Sequence, residues 1–327
     1  MSNTVKLLIY TIVYNEAAHL PAMLDSLLAQ TDTDFTLLIS DNYSTDGTAE
    51  VIDRYAGRFP RLIRIKPDRH LSGIEHGHFA HSHVVEHSRE HTHIMFIGGH
   101  DVIDRETIKH LKERAAATPE SALLYTDTFR MSLDGAPLER YANSLNTAGV
   151  PRQLVPFVVL LGIGHNIMSS GIWRADVFKA SKPRFVCCAS DHFILCEAAL
   201  SGPITYTPGG ALYLRDAPNF KPGWRYYVEK HLPEAQRRKG CAHDFTLQIS
   251  WLVTILERCI GVSASEIVGN PVYENYFLSA MQLYFIRYGE AALGFDDHAA
   301  LSVSALYQAI QSNDLGAVLR EIANLGS

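Results

Sequence analysis

The sequence predicts an α/β fold: a mostly parallel β-sheet flanked by helices, with a C-terminal helical region. Three observations carry this. Apolar runs of strand length recur at residues 5–13, 35–40, 62–65, 93–97 and 122–130. Helical periodicity fills the intervals between most of them. The first two runs stop abruptly at small polar and acidic residues, as buried parallel strands do where their carboxyl ends open into a ligand crevice.

The elements follow in order. Residues 5–13 read as the first strand. Residues 16–29 read as a helix, with Leu20, Met23, Leu24, Leu27 and Leu28 at i, i+3, i+4 spacing. The second strand is 35–40. Thr45 or Asp46 caps a helix over about 48–57, which carries Val51, Ile52 and Tyr55 on one side. A short third strand, 62–65, precedes a histidine-rich helical stretch at about 74–90. The fourth strand, 93–97, ends at Gly98-Gly99-His100-Asp101. A helix at 103–117 and a strand at 122–130 follow. Such alternation predicts a sheet covered on both faces. Beyond about 135 the pattern loosens into apolar segments mixed with Gly and Pro. From about 224 helical periodicity dominates, most clearly at 245–259, 273–288 and 299–325. The expected division is 1–218 for the sheet domain and 219–327 for the helical region.

With 327 residues and 47% apolar content, the chain buries a substantial core. A net charge of −6, with acids and bases mixed, argues against a general nucleic-acid binder, which shows a basic stripe. The five cysteines, Cys187, Cys188, Cys196, Cys241 and Cys259, include no C-x-x-C pair. That usage fits reduced thiols in a cytoplasmic protein. No cleavage site follows the apolar 5–13 run, so no signal peptide is expected. No apolar run reaches the roughly eighteen residues of a membrane span. The expected location is the cytoplasm, with attachment to the inner face of the cell membrane left open.

The strand ends carry a resemblance. The first reads Ile12-Val13-Tyr14-Asn15-Glu16, and the second Ser40-Asp41-Asn42-Tyr43-Ser44-Thr45-Asp46-Gly47-Thr48, one helix apart. Together they resemble the P-T-Y-N-E and S-D-N-x-S-T-D-G-T segments of inverting glycosyltransferases of family 2, built on the nucleotide-sugar-binding GT-A fold. The resemblance covers about residues 5–215. It implies a GT-A-like sheet and an enzyme that moves a sugar, with inversion, from a nucleoside-diphosphate donor to a saccharide or lipid-linked acceptor. Uridine is the implied nucleoside, and bacterial surface-polysaccharide synthesis the usual setting.

On that resemblance Thr11, Val13, Tyr14, Asn15, Glu16, Asp41 and Asn42 line the nucleotide, with Asp41 accepting the N3–H of a uracil-like base. A carboxylate suits that proton, and such a pocket rejects bases lacking it. The residues alone also allow plainer roles: Asp41 as a turn former, Asp46 as a helix cap, Glu16 as an acid favouring a helix amino terminus. At the fourth strand end the family keeps Asp-x-Asp, which holds a divalent cation against the donor diphosphate. Here the first acid is missing. Asp101, with His100 as helper, is the expected ligand of Mn²⁺ or Mg²⁺, hard cations that take oxygen. Metal-free neutralisation by Arg69, Arg215 or Lys221 is the alternative. Arg69, Gly99, His100 and Arg215 complete the donor side.

Ser190-Asp191-His192-Phe193 resembles the place of the family's catalytic acid. It makes Asp191 the expected base that takes the acceptor hydroxyl proton. A helix N-cap explains the same residues. His165, Gly171, Trp173 and His192 fall where the family shapes its acceptor pocket. For Trp173 a buried core position is an equal reading.

Nine of the sixteen histidines lie between 70 and 100: His70, His76, His78, His81, His83, His87, His91, His93 and His100. His83, His87 and His91 recur every fourth residue, a helical spacing that zinc accepts. A histidine-rich zinc-binding module is therefore one rival function, and a catalytically inactive nucleotide-sugar-binding protein is another. The plainer reading is a polar helix beside the donor site, with His70 or His76 near phosphate or sugar. In the tail, Tyr273, Tyr276, Phe277, Tyr284, Phe285 and Tyr288 form aromatic stripes. These suit core packing first, then a homodimer interface, then peripheral contact with a membrane-bound acceptor. Arg237-Arg238-Lys239 suits a solvated helix end first, then contact with lipid-carrier phosphates.

Overall fold

Four parallel strands make the first half of the sheet: β1 (Leu7–Val13), β2 (Phe35–Asp41), β3 (Leu62–Ile65) and β4 (His93–Phe96), in the order β3-β2-β1-β4. The computed structural model describes residues 4–141, 145–163, 167–181, 190–216, 234, 240–286 and 305–324. β1 and β2 are buried on both faces, which is why they read as continuous apolar runs rather than alternating ones. Leu7, Ile9 and Val13 face one apolar cluster, while Leu8 and Tyr10 face the other.

The crossovers are α1 (Leu20–Leu28), α2 (Thr48–Ala56) and α3 (Gly73–His87). α1 begins four residues later than its periodicity suggests, because Asn15 takes a left-handed conformation and the chain turns before Pro21 opens the helix. α3 opens on a capping box: Ser72 Oγ accepts from the Glu75 amide, and Glu75 accepts from the Ser72 amide.

The second half of the sheet is mixed rather than parallel. β5 (Val102–Ile103), β6 (Leu123–Met131), β7 (Pro137–Arg140), β8 (Ile172–Arg174) and β9 (Ile204–Arg215) join α4 (Thr107–Ala117). The nine-stranded sheet continues β4-β8-β6-β9-β5, with β7 on β6. β8 runs antiparallel to both its neighbours, and β6 pairs with β9 in parallel. At the β8–β6 seam, a Cβ on Gly171 would overlap the Leu124 carbonyl oxygen. The close approach expected at Gly171 is thus made by strand packing. Gly171→Ala is expected to cost about 1–3 kcal/mol by overpacking, read as a lower denaturant midpoint with an unchanged slope.

The remaining helices are α5 (Val155–Gly162), α6 (Ala175–Ala180), α7 (Ser190–Ser201), α8 (Gly240–Ile260), α9 (Ala264–Ile267), α10 (Pro271–Tyr284), α11 (Ala305–Gln311) and α12 (Leu315–Ala323). Where one long helix is expected at 299–325, the described residues form a pair, α11 and α12. Left-handed Asn313 separates them, and Asp314 caps α12 by accepting from the Ala317 amide at 2.8 Å. One apolar cluster continues from Leu8 and Tyr10 through Phe193 to Leu252, Met281 and Val318. Phe277 and Tyr284 of the aromatic stripe are buried in it. Cys196 and Cys259 are buried and free. The boundary at 218/219, Lys221, Arg237-Arg238-Lys239, Tyr288, Cys187, Cys188 and the side chain of Cys241 lie outside the described residues. Among the described residues no helix is long and apolar enough to cross a membrane.

Candidate active site

The parallel register sets Val13 directly beside Asp41, so the tips of β1 and β2 leave the sheet together. Four hydrogen bonds then stitch the two loops. Asn15 N donates to Ser44 Oγ at 2.9 Å, and Thr45 N donates to Asn15 Oδ1 at 2.8 Å. Glu16 N donates to Thr48 Oγ1 at 2.8 Å, and Ala17 N to Asp46 Oδ2 at 3.0 Å. Burial opposes ionisation of Asp46, but the Thr48 hydroxyl and the Ala17 and Thr48 amides hold it below the usual carboxylate range. Asp46 thereby stands at the entry to α2 and accepts the Thr48 amide at 3.1 Å, but the N-cap is Gly47, so neither Thr45 nor Asp46 caps the helix as the sequence suggested.

Both loops store backbone strain. Asn15 and Tyr43 have φ of 55° and 64°. For a bulky residue such as Tyr43 the left-handed conformation costs about 1–2 kcal/mol. Asp41 holds the turn, accepting Ser44 N at 3.0 Å and Ser44 Oγ at 2.5 Å through one carboxylate oxygen. Strain that is over-determined by its surroundings clusters at ligand sites.

An aromatic corner stands beside these tips. Tyr14 is 46% exposed, and its ring lies 4.4 Å from that of His70. Asn42 latches the 70–71 segment through two 2.9 Å bonds with the Leu71 backbone, and His70 Nδ1 lies 3.1 Å from Asn42 O. Arg69 is exposed at the rim and pairs with Glu75 at 3.4 Å. Thr11 and Val13, expected to line the nucleotide, are buried within the sheet, so neither side chain opens into the crevice. His76 is likewise buried, 2.8 Å from Ser40 Oγ, and burial pushes its pKa down to about 4.

The β4 tip closes against β1. A Cβ on Gly99 would fall 2.6 Å from Val13 Cγ1, so only glycine allows the approach. It brings His100 Nδ1 to 2.9 Å from Glu16 Oε1. Burial opposes a charged His100, but the Glu16 hydrogen bond and the Asp101 and Glu16 charges raise its pKa overall. Asp101 is 6% exposed and accepts the Arg215 amide at 3.0 Å. The Arg215 guanidinium donates to the carbonyls of His100, Ser132 and Leu133, tying the β6–β7 turn to this tip. Among the described residues, no three His, Cys, Asp or Glu side chains stand close enough to hold a metal ion. With Asp101 and His100 already engaged in this way, these residues do not fit a cation held by the protein alone.

Asp191 lies in the first turn of α7, with His192 Nδ1 3.5 Å from its carboxylate. It borders a cavity that Tyr10 of β1, Ser169 and Trp173 also border. The β4–β8 register, Met95 beside Ile172, carries Ser169 and Ser170 to the carboxyl end of β4. Asp41 and Asp101 therefore flank the β1 tip, and Asp191 reaches the same sheet through Tyr10 and Ser169. Trp173 is buried in the core, donating Nε1 to Ser169 O at 3.0 Å, and offers no open face to a sugar. His165 lies outside the described residues.

The zinc geometry is not formed. α3 ends at His87, and His91 lies beyond it with Nε2 3.0 Å from Thr36 Oγ1. His83 Nδ1 lies 2.8 Å from Phe79 O. The Glu16–His100 pair was not anticipated; its partners are 84 residues apart and have no local signature.

The mixed α/β sheet flanked by helices is a GT-A fold. Residues 8–129 match the model of the family described as Glycosyl transferase family 2, which bears out the resemblance read at the strand ends. No curated protein matches the chain. Among solved structures, it is similar to S. aureus TarS 1-349 in complex with UDP-GlcNAc, at TM-score 0.52 and 16% identity, over 99% of this chain and 93% of that one. A further S. aureus TarS structure gives TM-score 0.51 and 17% identity over 98% of this chain, which spans only 55% of that TarS chain. The mannosyltransferase PcManGT from Pyrobaculum calidifontis, in complex with GDP-Man and Mn²⁺, gives TM-score 0.50 and 14% identity over 97% of this chain and 87% of that one. At these identities the likeness shows the fold.

Proposed function

We propose that the protein transfers a sugar from a uridine diphosphate donor to a hydroxyl of a saccharide or lipid-linked acceptor, inverting the anomeric carbon, in bacterial surface-polysaccharide synthesis. The observation that carries this is the pair of stitched tips, which sets Asp41 beside the Tyr14–His70 corner. A flat base stacks on such rings, and Asp41 accepts its N3–H. Solved relatives in complex with UDP-GlcNAc and with GDP-Man support a nucleotide-sugar donor; the choice of uridine rests on Asp41.

Asp191 is the base in this reading. It takes the acceptor hydroxyl proton as that oxygen attacks the anomeric carbon. The bond from that carbon to the diphosphate oxygen breaks, and its electron pair leaves with the diphosphate. One carboxylate suffices, unlike the paired acids of hydrolases. Residues 1–218 form the catalytic unit, and the reaction belongs to the cytoplasm, at the inner membrane face when the acceptor is lipid-linked.

Calorimetry with UDP and GDP, each with and without Mn²⁺, tests the donor. UDP is expected to bind more tightly, and the Mn²⁺ arm reads whether the donor brings a cation with it. Asp41→Asn keeps an oxygen for Ser44 but loses the carboxylate, and is expected to weaken UDP about tenfold, one charge-assisted hydrogen bond. Failure of both nucleotides to bind would sink the proposal.

A further inference from the structure

At the β4 tip this chain places one buried acid and one guanidinium. Asp101 Oδ1 accepts the Arg215 amide at 3.0 Å, and its Oδ2 lies close over residue 98. A Cβ on Gly98 would fall 2.5 Å from that Oδ2, and a Cβ on Gly99 would fall 2.6 Å from Val13 Cγ1. As built, the turn admits no second acid before His100. The His100 ring is turned to Glu16, with Nδ1 2.9 Å from Oε1. Against the same turn stands the half-buried Arg215, whose Nε donates to the His100 carbonyl at 2.9 Å. A dication placed here would meet like charge.

The Arg215 charge is not spent on an acid. Arg69 pairs with Glu75 at 3.4 Å, and Arg130 takes both Asp216 and Glu139, at 2.7 and 3.0 Å. Asp134 accepts from the Ser132 hydroxyl. Among the described residues, Arg215 has no carboxylate at ion-pair distance, and its side-chain hydrogen bonds go to the neutral carbonyls of His100, Ser132 and Leu133 through Nε and Nη1. Nη2 has no hydrogen-bond partner among them. Three carbonyls thus fix the guanidinium without neutralising it, and two N–H donors stay unclaimed. Such a fork matches the oxygens of a phosphate.

We propose that Arg215 takes the place of a divalent cation: its guanidinium donates to the donor diphosphate, and transfer needs no metal. The inference rests on the nucleoside-diphosphate donor proposed above. As the bond from the anomeric carbon to the diphosphate oxygen breaks, the electron pair stays on that oxygen. Arg215 keeps its protons and offsets the added charge.

Calorimetry of the full chain with UDP, in EDTA and in Mn²⁺, is the first test, and the two dissociation constants are expected to agree within about twofold. Turnover is expected to survive EDTA. Arg215→Met keeps the length of the stem and removes the charge. It is expected to weaken UDP about tenfold to a hundredfold, the range of a hydrogen bond to a charged group, and to leave uridine, which has no phosphate, within about twofold of wild type. Mere loosening of the β6–β7 turn would not separate the two ligands. UDP affinity that rises about tenfold or more with Mn²⁺, turnover abolished by EDTA, or an Arg215→Met with an unchanged ratio of UDP to uridine affinity overturns the inference and leaves the donor reading standing. A wild-type chain that binds neither UDP nor uridine removes the donor reading itself, and this inference with it.

Discussion

Asp191→Asn is expected to lower turnover by about 10²- to 10⁴-fold, the usual contribution of a positioned base, while UDP binding stays near the wild-type value. The choice of asparagine matters. Asp191 lies in the first turn of α7, where a carboxylate also favours the helix amino terminus. Asp191→Ala removes the base and the charge at that helix end together, the latter worth about 0.3–1 kcal/mol. Asn keeps the size and polarity of the side chain while removing the charge and the proton acceptor. A kinetic defect of similar size in Asn and Ala, with both proteins folded, assigns the loss to the missing base rather than to a disturbed helix. Wild-type turnover in Asp191→Asn removes the base assignment.

Mild acid is expected to destabilise the fold steeply. His76, His81 and His93 are each pushed by burial from 6.5 to about 4. The unfolded chain binds protons at these positions near pH 6.5, and the folded chain does so only near pH 4. Between those values the unfolded state holds more protons, so stability present above pH 6.5 is lost as the pH falls. Each histidine contributes on the order of 1 kcal/mol per pH unit across that window. Three together approach the whole stability of an ordinary domain. His100, with its pKa raised, acts in the opposite sense and offsets some of the loss. The check is the thermal midpoint at pH 7, 6, 5 and 4.5, with His93→Gln reducing the slope by about a third of the summed effect. A level profile from pH 7 to 5 contradicts the prediction.

The first half of the fold was legible because buried parallel strands are written in continuous apolar residues, and their tips in turn and acid residues. Leu7 to Asp41 carries both signals in one stretch. The start of α1 was misplaced because Asn15, a residue that tolerates left-handed backbone, delays the helix. The second half was less legible for a different reason. β8 has three residues, too few for a period, and the direction of β8 is set by its neighbours rather than by its own side chains. β9 hides Pro208-Gly209-Gly210 inside a strand, where a register shift against β6 absorbs it.

The candidate site divides in the same way. Tyr14, Asn15, Asp41 and Asn42 lie in contiguous motifs, so their meeting at the strand tips was readable. Thr11 and Val13 share the first motif, but pleating turns their side chains into the core. The line of His83, His87 and His91 was a true period in the sequence, yet a period needs a continuing helix, and α3 stops at His87. The Ser72-x-x-Glu75 box that opens α3 was a readable signal for its first turn. His81 had no signal beyond its place among other histidines, since its stacking partner Phe178 lies far along the chain.

The seating of α7 has a consequence for how distant lesions will show themselves. Phe193 rests against Trp251 at 5.3 Å and Tyr284 at 5.0 Å, and Trp251 Nε1 is anchored on Glu197 of the same helix at 2.9 Å. The C-terminal helices are thus the keel beneath Asp191, the proposed base. Damage to that keel at position 251 or 284 tilts the carboxylate without touching any ligand, and will register as slow catalysis in a protein that still grips its donor.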